Sequence, residues 1–178
     1  MLPTRFAIEL VPHDPAWVAR ARAEDEALRA ILGDVLVRTH HVGSTSIPTI
    51  RAKPIVDLLA VVTALEAVDP HRAALEARGY EWRGAFGQAN RRYCILAAGT
   101  TRLVHAQFYE AGDPIVESHL TYRDYLLAHP EEARAYEADK LRARALYPDD
   151  LARYGNEKTA WIKACDERAR AWARSRPT

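Results

Sequence analysis

The chain has 178 residues, of which 48% are hydrophobic and 28% are charged, enough to bury one core in a single globular domain spanning residues 1–178. This composition excludes a disordered chain, a collagen-like repeat and a small disulfide scaffold. The 25 lysine and arginine residues nearly balance 24 aspartate and glutamate residues, for a formal net charge of +1. Because so balanced a chain has no strong positive field, we expect neither nucleic acid nor a membrane as its partner.

The cysteines and the N-terminal residues indicate the compartment. Cys94 and Cys165 lie far apart and form neither a CxxC motif nor a metal-type spacing, which suits a reducing environment. Residues 1–14 lack the apolar core of a secretory signal, and no apolar run approaches the ~18 residues of a membrane span. We therefore expect a cytoplasmic protein.

The first strong element is an amphipathic helix that follows a strand-like run at residues 6–11. Asp14 and Pro15 are residues that start helices, and Gly33 ends the pattern. One apolar stripe predicts a face packed on a core, and it consists of Trp17, Ala21, Leu28, Ile31 and Leu32. The charged positions are interpreted as a solvated face, and they are Arg20, Arg22, Glu24 and Asp25.

The rest of the chain alternates strands and helices before becoming helical. Strand composition marks residues 35–42, 54–62, 80–86, 91–99 and 102–110, and a helix between Pro70 and Gly79 interrupts them. From Asp113 onward, helical patterns cover residues 114–128, 130–147 and 156–175. We therefore predict an α+β fold, a small mixed β-sheet with flanking helices and a C-terminal helical layer.

The turn after the first of these strands is a candidate phosphate cradle. A glycine followed by three hydroxyl residues can present backbone N–H and side-chain O–H donors to a phosphate, and these residues are Gly43, Ser44, Thr45 and Ser46. Lys53, just before the next strand, either contacts phosphate as a point charge or begins an exposed turn.

Asp57 lies inside the apolar strand at residues 54–62, where a carboxylate needs a partner. In one interpretation it accepts the hydroxyl protons of the preceding turn as a structural staple. In the other it holds a divalent cation, Mg²⁺ or Mn²⁺, while the turn holds the phosphates. Both interpretations use the same atoms.

Two histidines extend the candidate site. His41, Asp57 and His105 would suit a transition metal, or a histidine general base beside one Mg²⁺, if the fold brought them together. The competing interpretation is that both histidines are structural. His119 and Arg123 lie four residues apart on one helix face, where they either face an anionic ligand or form a surface pair.

The segment HVGSTSIPTIRAKPIVDLL resembles the signature of the GrpB-like family, HxGST followed by a proline, KP, two apolar residues and Asp. The resemblance continues in VPHDPAW, in the HLTYRDYL segment that contains His119 and Arg123, and in YGNEKTAWI, which contains Lys158. It implies a nucleotidyltransferase-like fold, in which a Gly-Ser turn precedes a strand bearing paired acids. It also makes His119, Arg123 and Lys158 candidate ligand contacts.

The sequence departs from the pattern of active nucleotidyltransferases. Leu59 stands at the second acidic position, and His105 begins a His-Ala-Gln sequence where the family has His-x-His. Thr49 replaces the glycine that commonly follows the signature proline. Two carboxylates normally hold the metal ions of such enzymes, so these departures indicate a degenerate site.

Three functions are therefore compared. The first is binding of a nucleotide or phosphorylated small molecule, with Asp57 positioning Mg²⁺ or Mn²⁺ and with phosphoryl or nucleotidyl transfer as its catalytic form. The second, implied by the resemblance because GrpB-like domains also occur fused to dephospho-CoA kinase, is a non-catalytic folding-accessory module. Its protein partner or second copy would contact Tyr125, Trp161 or Trp172. The third is a metal-dependent hydrolase that uses His41, Asp57 and His105.

Overall fold

A computed structural model describes residues 7–176. The sheet contains β1 (Leu36–Val42), β2 (Val56–Val62), β3 (Tyr80–Trp82), β4 (Arg92–Ala98) and β5 (Thr101–Glu110). The helices are α1 (Ala16–Leu32), α2 (Arg72–Ala77), α3 (Pro114–Ala128), α4 (Pro130–Leu146), α5 (Leu151–Glu157) and α6 (Thr159–Ser175). Within the described part of the chain, every helix is too short or too polar to cross a bilayer.

The five strands form one mixed sheet in the order β1-β2-β5-β4-β3. Strand β2 pairs antiparallel with β1 and parallel with β5, and the remaining pairs are antiparallel. The parallel pairing of β2 with β5 sets Asp57 directly beside His105. This confirms the predicted α+β class and its mixed sheet.

The two faces of the sheet are covered by different helices. Residues 56, 58, 60 and 62 of β2 point toward α1 and α2 and join a large apolar core that includes Trp17, Leu28 and Leu75. On the opposite face, Leu59 and Tyr109 pack against α3. Helices α3, α4 and α6 then form a second apolar cluster with Ile47 and Ile50 from the β1–β2 connection. Side chains alternate between the two faces along a strand, and Asp57 lies two residues before Leu59 in β2. Asp57 therefore also faces this helical layer.

The start of α1 follows the predicted capping, because the Asp14 carboxylate accepts the backbone N–H of Ala16 at 2.9 Å. The prediction for Glu24 was wrong. Its side chain is 3% exposed, accepts a hydrogen bond from Arg78 Nη2 at 2.6 Å and accepts a second from the Tyr80 hydroxyl at 3.0 Å. Burial is tolerated because two donors from other elements satisfy the carboxylate.

Three element boundaries also differ from prediction. Among residues 7–11 the structure has no regular strand, only an isolated bridge between Val11 and Ala52, while residue 6 lies outside the described residues. Strand β3 is shorter than predicted and ends at Trp82; the Arg83 N–H and the Gly84 carbonyl still hydrogen-bond to Tyr93 of β4, and a loop follows. The predicted helix over 156–175 corresponds to α6, which begins at Thr159, while residues 156 and 157 end a separate helix, α5, that was not predicted. These boundaries depend on tertiary contacts that local pattern does not carry.

Candidate functional site

The turn after β1 packs directly on Asp57. Gly43 has φ 72°, a left-handed backbone, and a Cβ atom at this position would lie 2.4 Å from Asp57 Oδ2. One turn of 3₁₀ helix follows at Ser44–Ser46, closed by the Ser46 N–H and Oγ, which donate to the Gly43 carbonyl at 3.1 and 2.6 Å. Only glycine therefore allows this turn to approach the carboxylate so closely.

Asp57 and His105 form a hydrogen-bonded pair at the centre of the site. His105 Nδ1 lies 3.1 Å from Asp57 Oδ1, and the two side chains are 15% and 32% exposed, respectively. Burial raises the pKa of Asp57, but the hydrogen bond from His105 and the charges of Lys53 and His119 lower it more, so that the net pKa is below its ordinary value. Asp57 is consequently an anion at neutral pH.

Three lysines line the same pocket as Asp57 and the Gly43 turn, namely Lys53, Lys140 and Lys158. Lys140 is 1% exposed and its Nζ donates to the Arg51 carbonyl. Burial, together with repulsion from Lys158 and Lys53, lowers the pKa of Lys140 to about 7. Burial and the charge of Lys53 likewise lower the pKa of Lys158 to about 8. The lysines thus crowd positive charge around a single carboxylate.

Two tyrosines support the lysine ammonium groups. Lys158 Nζ lies 4.2 Å and Lys53 Nζ 5.5 Å from the centroid of the Tyr154 ring. Lys140 Nζ lies 4.8 Å from the centroid of the Tyr136 ring. Ring faces attract cations, so these tyrosines partly offset the cost of burying the lysine charges.

The hydroxyl groups of the turn do not serve Asp57 as a staple. Thr45 Oγ1 is 2.9 Å from His41 Nε2, and Ser46 Oγ donates to the Gly43 carbonyl. Gly43, Ser44 and Thr45 line the pocket. Ser46 thus bonds the backbone of the turn, as the staple interpretation expected, but the part of that interpretation in which Asp57 accepts the Thr45 and Ser46 hydroxyl protons is wrong, because these hydroxyls have other partners and Asp57 pairs with His105.

The structure does not bring His41 together with Asp57 and His105. In the β1–β2 register Val42 lies opposite Asp57 and His41 lies opposite Leu58, so the His41 side chain leaves the other face of the sheet. Burial lowers the pKa of His41. Across residues 7–176, no three His, Cys, Asp or Glu side chains are placed to hold one metal ion. The geometry required by a hydrolase that uses all three groups is absent from this region.

The structure also gives His119 and Arg123 different neighbours. The charge of His119 acts on Asp57, and burial lowers the pKa of the half-buried His119 imidazole itself. Arg123 instead donates to the His41 carbonyl at 3.3 Å and to Asp124 Oδ1 at 2.8 Å. His119 therefore lies near the site, whereas Arg123 ties α3 to β1.

Sequence reasoning missed Lys140 and Tyr136. Both lie on α4, four residues apart, so that they share one helix face toward the pocket. Both also lie in the segment that continues from HLTYRDYL, so the family resemblance of that segment was the available signal. Tyr154 is 1% exposed, and its hydroxyl has no hydrogen-bond partner within the described chain.

Comparison with known proteins gives several relatives of this chain. The GrpB protein family matches residues 7–168. UPF0157 protein YqkA of Bacillus subtilis (strain 168) is 38% identical over 169 residues, which cover 95% of this chain and 49% of YqkA. The dephospho-CoA kinase of Mycobacterium bovis is 27% identical over 195 residues, covering 95% of this chain and 47% of the kinase. The chain spans about half the length of these two relatives.

Solved structures are similar as well. The crystal structure of the conserved protein GrpB from Enterococcus faecalis has a TM-score of 0.86 at 34% identity and covers 92% of this chain and 99% of that chain. Cid1 poly(U) polymerase is a distant neighbour, with a TM-score of 0.48 and 13% identity, covering 73% of this chain and 45% of Cid1; this likeness concerns the fold alone. With the family match over residues 7–168, the resemblance seen in the signature segment is confirmed, and the chain belongs to the GrpB family.

Proposed function

We propose that the pocket between the Gly43 turn and α4 binds the phosphate groups of a nucleotide or another phosphorylated small molecule. The observation that carries this proposal is the convergence of Lys53, Lys140 and Lys158 on a pocket that holds one carboxylate, Asp57. The whole chain has a net charge of only +1, so this excess of positive charge is local. An anion with several oxygens is the ligand that such a cluster favours.

The lysine pKa values support an anionic ligand. Burial, reinforced by repulsion between the neighbouring lysines, lowers the pKa of Lys140 to about 7 and that of Lys158 to about 8, so keeping these groups charged carries an electrostatic cost. A bound phosphate would remove much of this repulsion and raise both pKa values. Binding should therefore take up protons near neutral pH.

The size of the pocket indicates which part of the ligand enters it. Its volume is about 140 Å³, below the roughly 300–1,000 Å³ of pockets that enclose whole small molecules. The lining is also rich in charged and hydroxyl groups. We infer that phosphate groups enter the pocket and that the remainder of the ligand lies outside it.

One divalent cation fits the donor set as part of the same proposal. Asp57 is ionised and partly exposed, and Mg²⁺ is commonly held by one or two carboxylates together with phosphate oxygens and water. Leu59, at the position of the second acid, is fully buried and offers no oxygen ligand. A bound cation would supply Lewis-acid polarisation of a phosphoryl oxygen.

His105 gives the site a group that can move a proton. Its Nδ1 is held by Asp57, and its Nε2 is buried without a hydrogen-bond partner in the described chain. A histidine oriented by a carboxylate is the usual arrangement of a general base. Phosphoryl or nucleotidyl transfer would use this group to accept the proton of an acceptor hydroxyl.

Thermal unfolding with inorganic triphosphate, with and without Mg²⁺, tests the binding proposal. At 100 times Kd, binding stabilises the fold by about 2.7 kcal/mol, a rise in Tm of roughly 5 to 11 °C. Lys158→Met should weaken binding roughly 10- to 150-fold, since a charged hydrogen bond contributes about 1.5–3 kcal/mol. Lys163→Met removes an exposed lysine of α6 outside the pocket and should leave affinity unchanged. Absence of any shift in the wild-type protein would overturn the proposal.

A second candidate function is a folding-accessory module, favoured by the similarity to one part of a dephospho-CoA kinase and by the missing second acid at Leu59. The aromatic residues proposed as its docking surface are packed within the helical layer. Tyr125 and Trp172 have ring centroids 5.7 Å apart, and Trp161 stacks on Tyr136 at 5.0 Å. If triphosphate and nucleotides leave the wild type unshifted while Asp57→Asn lowers its stability, this candidate replaces the first.

A further inference from the structure

The loop between β3 and β4 presents an exposed aromatic side chain. Phe86 is 57% exposed and has φ 45°, the one left-handed backbone among the non-glycine residues that the structure describes. This conformation is unfavourable for a bulky residue and persists only where the surroundings impose it. Residues held in this way are concentrated at ligand-binding and catalytic sites.

A buried arginine holds this loop on the sheet. Arg91 is 9% exposed, and its guanidinium donates to Gln107 Oε1 at 3.0 Å and to the Phe86 carbonyl at 2.7 Å. The Tyr109 hydroxyl donates to Gln88 Oε1 at 3.0 Å, which adds a second anchor. The loop is therefore fixed to β5 at two points, and the position of Phe86 is set before any ligand binds.

The anchoring residues lie on the face of the sheet that carries the site. Gln107 and Tyr109 alternate with buried core residues of β5 and share the orientation of His105. The loop consequently covers the same face as His105. It lies near the β3 edge of the sheet, whereas the Gly43 turn lies at the β1 edge.

A continuous row of contacts joins Phe86 to the centre of the site. The Phe86 ring stacks on Tyr93 with centroids 5.1 Å apart and planes at 24°. The Tyr93 ring lies 5.7 Å from the His105 ring, and His105 is bonded to Asp57 at 3.1 Å. The row thus begins beside the lysine pocket and ends at a largely exposed ring.

We propose that Phe86 is a stacking platform for an aromatic base, so that the ligand of the lysine pocket is a nucleotide and not an aliphatic phosphate. This inference rests on the proposed phosphate binding. The pocket of about 140 Å³ takes phosphates but leaves a base outside, and Phe86 offers an apolar ring on the same face. The guanidinium carbon of Arg83 lies over this ring, 5.8 Å from its centroid, and adds a planar cation to the platform.

Stacking on Phe86 also predicts which ligands the site distinguishes. Every nucleobase has a π face, so a single aromatic platform discriminates bases from non-aromatic groups but not one base from another. We expect adenosine and uridine triphosphates to bind with similar affinity and both to bind more tightly than inorganic triphosphate.

Comparing two probes separates the platform from the phosphate site. Dissociation constants for adenosine triphosphate and inorganic triphosphate, both with Mg²⁺, are measured by calorimetry on the wild type, Phe86→Ala and Phe86→Trp. Phe86→Ala should weaken nucleotide binding roughly 5- to 150-fold and leave inorganic triphosphate unchanged. Phe86→Trp should retain nucleotide affinity because it keeps a ring. Val37→Ala, which shortens an exposed apolar side chain of β1, should bind both probes as the wild type does.

The remaining outcomes are each decisive. Equal nucleotide affinity in the wild type and Phe86→Ala overturns the platform and leaves phosphate binding standing. A parallel loss of both probes in Phe86→Ala also overturns it, because a platform acts on the base alone. If the wild type binds neither probe, the proposed phosphate binding fails and the platform fails with it. Thermal unfolding of each variant shows whether the fold is retained.

Discussion

Replacing Lys140 with methionine should change the stability of the protein in a pH-dependent way. Lys140 is 1% exposed and its pKa is lowered by burial, and by the neighbouring lysines, from 10.5 to about 7. Keeping this lysine charged therefore costs the folded protein on the order of 5 kcal/mol relative to the unfolded chain. Methionine has a similar length and no charge, so Lys140→Met removes this cost.

The direction of the pH dependence follows from the two pKa values. Below about pH 7, Lys140 is charged in both the folded and the unfolded protein, and the cost is fully present. As pH rises from 7 toward 10.5 the folded protein loses this proton first, so wild-type stability increases relative to Lys140→Met. Between pH 6 and pH 9.5 the difference between the two proteins should change by on the order of 3 kcal/mol.

The loss of one hydrogen bond, which does not depend on pH, offsets part of the stability that Lys140→Met gains at low pH. The Lys140 ammonium donates to the Arg51 carbonyl, and an unsatisfied buried acceptor costs about 1–3 kcal/mol. We therefore expect Lys140→Met to be more stable than the wild type at pH 6 by on the order of 2 kcal/mol, and to have no advantage at pH 9.5.

Equilibrium unfolding in urea at pH 6 and pH 9.5 measures this difference. Lys163→Met serves as the matched control, because Lys163 is exposed on α6 and its removal should produce nearly the same small change at both pH values. A stability difference between the wild type and Lys140→Met that is the same at both pH values would refute the reasoning, since it would mean that Lys140 titrates as in the unfolded chain.

Three further changes have defined outcomes. Affinity for inorganic triphosphate should fall between pH 7 and pH 9.5, because Lys158, whose burial lowers its pKa to about 8, loses its charge over this range; a Kd series that is flat with pH contradicts this. Gly43→Ala should lower the free energy of unfolding by more than about 1 kcal/mol and weaken triphosphate binding, as its Cβ would lie 2.4 Å from a carboxylate oxygen. Gly112→Ala, with φ 89° and open space around it, is the control for backbone strain alone. Glu24→Ala should destabilise by about 1–3 kcal/mol in urea unfolding, because it leaves the buried Tyr80 hydroxyl without its acceptor, while the exposed Glu26→Ala should have little effect.

Most of the fold could be predicted from local pattern. The apolar strand around Asp57, the Gly43 turn and the proline-initiated helices α3 and α4 were visible because their signals lie within a few residues. The same is true of the family resemblance, which depends on contiguous motifs. By contrast, no local pattern that we recognised predicts the break between helices α5 and α6 at Lys158.

Only part of the candidate site could be predicted from local sequence pattern. Asp57 was identifiable because a carboxylate in an apolar strand is costly without a partner. His41 was grouped with it because two imidazoles and a carboxylate suit a transition metal, but strand register sends the His41 and Asp57 side chains to opposite faces. Lys140 went unrecognised because its pocket neighbours Lys53 and Asp57 are more than eighty positions earlier in the chain.

The sequence by itself therefore determined the α+β class, the glycine turn and the buried acid, since each depends on residues that are neighbours along the chain. Only the tertiary structure decided which cations surround that acid, since α4 and the start of α6 must fold over the sheet to bring Lys140 and Lys158 to Asp57. It also decided that Glu24 is buried, because Arg78 and Tyr80 supply its donors from elements more than fifty residues away. Charge burial is a property of the assembled layers, and periodicity along one helix does not encode it.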